Sequence, residues 1–126
     1  YLNTRVFEGL DVQWQQLLKK VKISSSIGDQ STEISYSDNY IYIPSTYELD
    51  PTMNTEPYVY EGSPITYLTT NDSRICKFVD GKANSYWTRS PNYQYTGYYY
   101  RVEENGMLSG YYYSYNDDGI RIMFSI

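Results

Sequence analysis

The sequence predicts an α+β domain with two early helices and short antiparallel strands in its C-terminal half, and three observations carry that reading. The apolar residues Trp14, Leu17, Leu18 and Val21 recur at i, i+3, i+4 and i+7, one face of a helix. Ser45 and Glu48 have the S-x-x-E spacing of a capping box. Asn105-Gly106 stands between the strand-like runs 98–103 and 107–113, the strongest short-range hairpin signal. No strand–helix–strand rhythm runs through the chain, so a parallel α/β fold is not expected.

In chain order, the first helix is expected over 11–21, with Asp11 as N-cap and Lys19, Lys20 and Lys22 at its C-terminal end, where they complement the helix dipole. Residues 24–38 are polar and turn-rich, which reads as a loop with a short strand at 32–36. Residues 40–43 alternate aromatic and branched side chains and read as a strand that stops at Pro44. The capping box then opens a brief helix ended by Pro51. Residues 50–85 are punctuated by Pro57, Gly62, Pro64 and Gly81, giving organised loop with short strands around 58–60 and 74–78. At the end, Ile120, Ile122, Phe124 and Ile126 fall on one side of an alternating run, which predicts a buried terminal strand.

Composition excludes several function classes. A chain of 126 residues makes one domain, residues 1–126, with a core of its own; beginning with Tyr1 rather than Met, it is expected to be the C-terminal part of a longer protein. A formal charge of −5 without a basic cluster argues against nucleic acid as a partner. No apolar run reaches the roughly 20 residues of a membrane-spanning segment. With no histidine, the commonest general base and zinc ligand are missing, and the single cysteine, Cys76, reads as a half-buried structural thiol. At 18 % aromatic and 40 % hydrophobic residues the chain has enough to bury to exclude disorder.

Catalytic constellations are not evident. The Ser or Cys nucleophile arrangements lack their base, the spacing of the carboxylates favours no paired-acid mechanism, and no glycine-rich phosphate loop occurs. Asp117-Asp118 has two readings, half of a calcium site or the turn into the last strand before Gly119, and the turn is preferred. Neither a cofactor nor a metal is therefore expected.

Tyrosine is the anomaly. There are 18, and Tyr93, Tyr95, Tyr98, Tyr99, Tyr100, Tyr111, Tyr112, Tyr113 and Tyr115 fall within one short stretch. Successive strand residues face opposite sides, so an unbroken Tyr-Tyr-Tyr run shows tyrosine on both faces of a sheet. With Val102 inward, Tyr98 and Tyr100 are expected inside, and Tyr99 and Arg101 outside. Tyr among Ser, Gly and Asn is the composition of antibody binding loops, where it supplies a large and fairly rigid contact area. The alternative is that cross-strand aromatic pairs merely strengthen the sheet, by about 0.2–1 kcal/mol each.

Two segments, YWTRSP at 86–91 and GIRIMFSI at 119–126, resemble the signatures of an uncharacterised domain family in surface and secreted proteins of anaerobic gut bacteria. The helix segment WQQLLKKVKI, IYIPSTYEL at 41–49 and TEPYVYEG at 55–62 fit the same family in the same order, so the resemblance covers nearly the whole chain. That family is similar to C-type-lectin-like domains of the formylglycine-generating-enzyme branch and to variable proteins diversified by retroelements. The resemblance implies a compact C-type-lectin-like fold with a central terminal strand and a ligand face on the late strands and loops. In retroelement-diversified members, mutagenesis of Asn codons places Tyr, Ser, Asp and Asn side by side, the vocabulary of YYYSYNDD at 111–118. Ile122 departs from the family's usual Pro. The calcium-dependent sugar motifs of animal lectins and the paired active-site cysteines of the formylglycine-generating enzymes are both absent, so neither activity is carried over.

The expected function is a non-enzymatic binding domain, outside the cell or on its surface, that presents a Tyr-rich face to a protein or glycan. Its expected site comprises Asn92, Tyr93, Tyr95, Tyr98, Tyr99, Arg101, Tyr111, Tyr113, Tyr115 and Asn116. Trp14, Trp87, Arg89 and Arg121 are assigned to the scaffold. The competing expectations are a structural spacer with a tyrosine-stabilised sheet and a glycan-processing enzyme built on two carboxylates.

Overall fold

A computed structural model describes residues 1–126. After a π-helical turn at Leu2–Val6, helix α1 spans Val12–Leu17, with Asp11 at the N-cap position but no capping bond from its side chain. The helix stops sooner than the apolar spacing predicts. Leu18 is already extended, and the Lys19 N–H donates to the Ser125 carbonyl at 2.8 Å. Val21 and Lys22 belong instead to strand β1 (Val21–Ser26), which pairs antiparallel with β2 (Ile34–Asn39). The stretch expected as loop is thus mostly a hairpin. Its Ser-rich strands show no clear apolar alternation because β2 lies almost wholly exposed, yet their backbone groups still pair. The lysines serve this hairpin rather than a helix end: Lys22 and Lys20 lie over the rings of Tyr36 and Tyr40 at 4.5 and 5.3 Å.

Residues 40–43 contribute only a single bridge, Tyr42 to Met123. Helix α2 (Thr46–Leu49) begins where the capping box predicts, with the Glu48 N–H donating to Ser45 Oγ at 3.2 Å and the Ser45 N–H to Glu48 Oε2 at 3.1 Å. Residues 58–60 form a 3-10 turn, Tyr58–Tyr60, rather than a strand. The buried Tyr58 hydroxyl needs partners, and it donates to the Pro91 carbonyl (3.0 Å) while accepting from the Tyr93 N–H (2.7 Å). A second 3-10 turn occupies Thr66–Leu68. Arg74 closes a third helix, α3 (Asn71–Arg74), so only β3 (Cys76–Lys77) of the expected 74–78 strand is extended; it pairs with β4 (Ala83–Asn84). Cys76 is half-buried against the core, as expected.

The main sheet contains β5 (Tyr86–Pro91), β6 (Tyr98–Val102), β7 (Leu108–Tyr113) and β8 (Gly119–Ile120) in the order β7-β6-β5-β8. The first three pair antiparallel, whereas β8 joins the edge in parallel. The terminal strand is therefore peripheral and short, not central and buried. Ile120, Ile122, Phe124 and Ile126 are 43–61 % exposed, and it is the opposite parity that faces inward. Met123 packs on the core, and Arg121 donates to the Tyr86 hydroxyl at 3.2 Å. With Trp14, itself half exposed, Ile122 and Phe124 line an apolar groove of about 210 Å³. No helix is long and apolar enough to cross a membrane.

The predicted turn at 104–106 closes the β6–β7 hairpin, with Gly106 at φ +85° and the Glu103 N–H donating to the Met107 carbonyl at 2.7 Å. A Cβ on Gly106 would collide with the Asn71 backbone, so the turn lies directly on α3. The buried Arg74 fastens it there, donating from Nε to the Gly106 carbonyl at 2.8 Å and from Nη1 to the Leu49 carbonyl at 2.8 Å.

The apolar core is small: Leu49, Leu68, Tyr86 and Val102 form one fully buried cluster. Beside it lies a polar core centred on Arg89, which uses all five N–H donors. Nε donates to the Ser24 carbonyl (3.0 Å), Nη1 to the Ile43 carbonyl and Glu48 Oε2 (both 2.9 Å), and Nη2 to Glu48 Oε1 (2.6 Å) and the Glu61 carbonyl (3.1 Å). The scaffold role expected of Arg89 and Arg121 matches these contacts.

A lysine at position 89 keeps the charge but lacks the planar fork. We expect Arg89→Lys to lose about 3 kcal/mol or more in urea unfolding, because several buried acceptors lose their donors. The neighbouring Glu61 carboxyl is fully buried; Oε2 accepts from the Ser26 N–H at 3.3 Å and Oε1 has no partner. Burial pushes its pKa from 4.5 to about 7. The folded state thus holds this proton more tightly than the unfolded one, so the contribution is complete below about pH 4.5 and is lost as the pH rises through about 7. Unfolding free energy should fall across that window by an amount on the order of 3 kcal/mol, and Glu61→Gln should flatten the fall.

Candidate functional site

The expected tyrosines converge. Tyr98 meets Tyr113 with ring centroids 4.4 Å apart, Tyr113 stacks on Tyr115 at 5.1 Å and 8°, and Tyr95 touches both Tyr98 (6.1 Å) and Tyr111 (6.3 Å). Five rings from two separate segments thus form one row. Tyr95, Tyr111, Tyr113 and Tyr115 are 46, 68, 44 and 77 % exposed. Two local features build the row. The pairing of β6 with β7 shifts register between Tyr99 and Arg101, placing an extra residue on β7. A tight turn, closed by the Asn116 N–H on the Tyr113 carbonyl at 3.0 Å, folds Tyr115 back over Tyr113.

Tyr98 is not interior, contrary to the simple alternation with Val102. It lies past the rim of the core, half-buried among the surface rings, while Tyr100 does turn inward and packs edge-on against Tyr58 at 5.4 Å. Gly110 makes room for Tyr100, since a Cβ there would meet its ring at 2.6 Å.

The other expected residues take different positions. Asn92 is buried, with its amide engaged: Nδ2 donates to the Gly110 carbonyl at 2.8 Å, and Oδ1 accepts from the Gln94 and Tyr95 N–H groups at 2.9 and 3.1 Å. It shapes the loop that carries Tyr95. Tyr93 is half-buried, and its carbonyl accepts from the Gln30 N–H at 2.8 Å. Arg101 is held rather than free. Nη1 donates to both Asp118 oxygens at 3.0 Å, Nη2 to Glu103 at 3.1 Å, and the guanidinium lies 3.3 Å from the Tyr112 ring centroid. Asp118 also accepts from the Ser85 hydroxyl, so this acid anchors the last turn to the sheet. No group of three or more acidic or cysteine side chains is gathered closely enough to hold a metal ion.

Beside the row, Tyr98 and Tyr99 form one side of a cavity of about 260 Å³, with Gly28, Asp29, Pro91 and Thr96 around it. The β1–β2 hairpin supplies its second wall. A model of a domain of unknown function, DUF6273, matches residues 1–126. The chain belongs to the DUF6273 family. No curated protein and no solved structure matches it.

In this DUF6273 domain the cavity residue that sequence reasoning missed is Asp29. Residues 28–31 form a tight turn closed by the Ser31 N–H on the Gly28 carbonyl at 3.0 Å, with Asp29 and Gln30 at φ +54° and +58°. Positive φ at both central positions is the type I′ pattern, which favours Asn-Gly, and Asp-Gln gave no such signal. Thr96 Oγ1 donates to Asp29 Oδ1 at 2.9 Å, tying the turn to the tyrosine loop. Gln30 carries the steric cost of the left-handed region without being a residue that tolerates it. Gln30→Gly in the DUF6273 domain is expected to raise stability by about 0.5–1 kcal/mol, read as a higher urea midpoint at unchanged slope.

Proposed function

We propose that the domain is a non-enzymatic recognition module of C-type-lectin-like fold that presents its tyrosine row to a protein or glycan ligand outside the cell. The observation that carries this reading is the row itself: large rings brought together from two segments and left substantially exposed. A contiguous aromatic surface of this kind costs solvation in the free protein and is recovered when a partner covers it. The tyrosines that do stabilise the scaffold are distinct: Tyr58 and Tyr86 are buried, and the half-buried Tyr100 packs inward against Tyr58. Display at a cell surface and diversification of 111–118 rest on the family resemblance, and the exposure of Tyr111, Tyr113 and Tyr115 suits both.

Two further features favour binding over catalysis. The four concavities include only one with two carboxylates, Glu103 and Glu104 at the hairpin turn, and Glu103 is bonded to Arg101. The apolar groove at Trp14 and Phe124 has no polar side chain to orient a substrate.

The variant Tyr111→Ala/Tyr113→Ala/Tyr115→Ala tests the reading on arrays of glycans and surface proteins. Loss of at least about tenfold in affinity, with the circular dichroism spectrum and unfolding midpoint close to wild type, is the expected result. A large drop in stability with no ligand found for the wild-type chain would instead favour the spacer.

A further inference from the structure

The tyrosine row and the cavity at Asp29 share Tyr98, so they form one continuous surface with a flat aromatic part and a polar recess. We propose that this surface binds a neutral oligosaccharide, one sugar ring seated in the recess against Tyr98 and Asp29 and the next lying along Tyr113 and Tyr115. The proposal rests on the recognition reading above and names its ligand class.

Four features select a sugar. A pyranose ring has C–H-rich faces that stack on the electron-rich face of a phenol, and a rim of hydroxyls that needs acceptors and donors. Tyr115, 77 % exposed and stacked on Tyr113 on one side, offers such a face together with a phenolic donor and acceptor. Asp29 supplies the acceptor: Thr96 occupies Oδ1, and Oδ2 has no protein partner. Asn92 Oδ1 already accepts two N–H groups and Nδ2 donates to Gly110, which leaves the Asp29 carboxylate as the strongest acceptor of the recess. The volume of about 260 Å³ lies just under the roughly 300–1,000 Å³ of pockets for drug-sized molecules, in keeping with one ring rather than a branched ligand.

Charge argues against an anion. The ionisable acid lining the recess is Asp29 and neither Lys nor Arg lines it, so an anionic sugar finds no counter-charge there. The turn that carries Asp29 is consistent with a positioned carboxylate. Three successive residues at positive φ, Gly28, Asp29 and Gln30, hold it, and two of them are not glycine.

The 126-residue chain is to be assayed on an array of neutral hexose and N-acetylhexosamine oligosaccharides printed beside sialylated and sulfated ones. The expected result is binding to neutral glycans, weakened about tenfold or more by Asp29→Asn and by Tyr115→Ala. Asn is at home at positive φ, so the first variant removes the charge and keeps the turn. Binding confined to anionic glycans overturns the proposal. Binding that Tyr115→Ala abolishes and Asp29→Asn leaves intact overturns the role of the recess while the tyrosine-face reading stands. No bound glycan, together with a purified protein ligand whose binding requires Tyr111 and Tyr113, has the same effect. Glycan binding unchanged in both variants overturns the proposal and the reading on which it rests.

Discussion

The Arg89 guanidinium and the Glu48 carboxylate tie to β5 four segments of which only α2, through Leu49, contributes to the central apolar cluster. Ser24 lies in the β1–β2 hairpin, Ile43 in the strand-like approach to α2, Glu48 in α2 and Glu61 just after the 3-10 turn; all four bond to one side chain of β5. A central cluster of four apolar residues, with a few buried side chains such as Ile23 and Ile41 outside it, cannot by itself set the relative placement of so many irregular segments. A buried ion pair adds little net stability over a well-packed apolar pair, but its five donors accept only one arrangement of carbonyls. The geometry of the candidate site follows from this. One wall of the recess comes from the hairpin that Arg89 anchors through Ser24, and the other from the loop that leaves β5 two residues after Arg89.

Two more arginines repeat the device. Arg74 fixes the β6–β7 turn to α3 and α2 through backbone carbonyls, and Arg101 joins the middle of β6 to Asp118 ahead of β8. With both ends of the hairpin region fastened to the body, the tyrosines beyond the core rim are carried on a rigid base. Preorganised rings lose little conformational freedom when a ligand covers them.

The parts of the fold that were legible in the sequence are those fixed by local chemistry. The capping box at Ser45 and Glu48 and the Asn-Gly turn at 105–106 specify their own hydrogen bonds within a few residues, and both are found where expected. Of the β1–β2 hairpin only part of β2 was legible, as the short strand expected at 32–36; β1 and the pairing were not, because the serines and aspartate mark neither face and the pairing is a backbone matter. Helix α1 read too long because Val21 fits a helical face as well as a strand that the Ser125 bridge helps to start. The last segment had the wrong face inward: the branched residues alternate regularly, yet Arg121 and Met123, bound to Tyr86 and the core, decide its parity. Within the site, the tyrosine composition was legible, whereas Asp29 depends on a turn type that its residues do not advertise and on a partner, Thr96, far along the chain.

The register shift between Tyr99 and Arg101 divides the β6–β7 hairpin into two paired halves. On the inner half, Val102 and Leu108 keep step with the core, and Gly110 is fixed by the ring of Tyr100 that fills its space. On the outer half, 111–116 is released from that alternation. Tyr111, Tyr113 and Tyr115, at the open end of the hairpin, meet other surface rings and not the core, so a change in any of them leaves the buried frame unaltered.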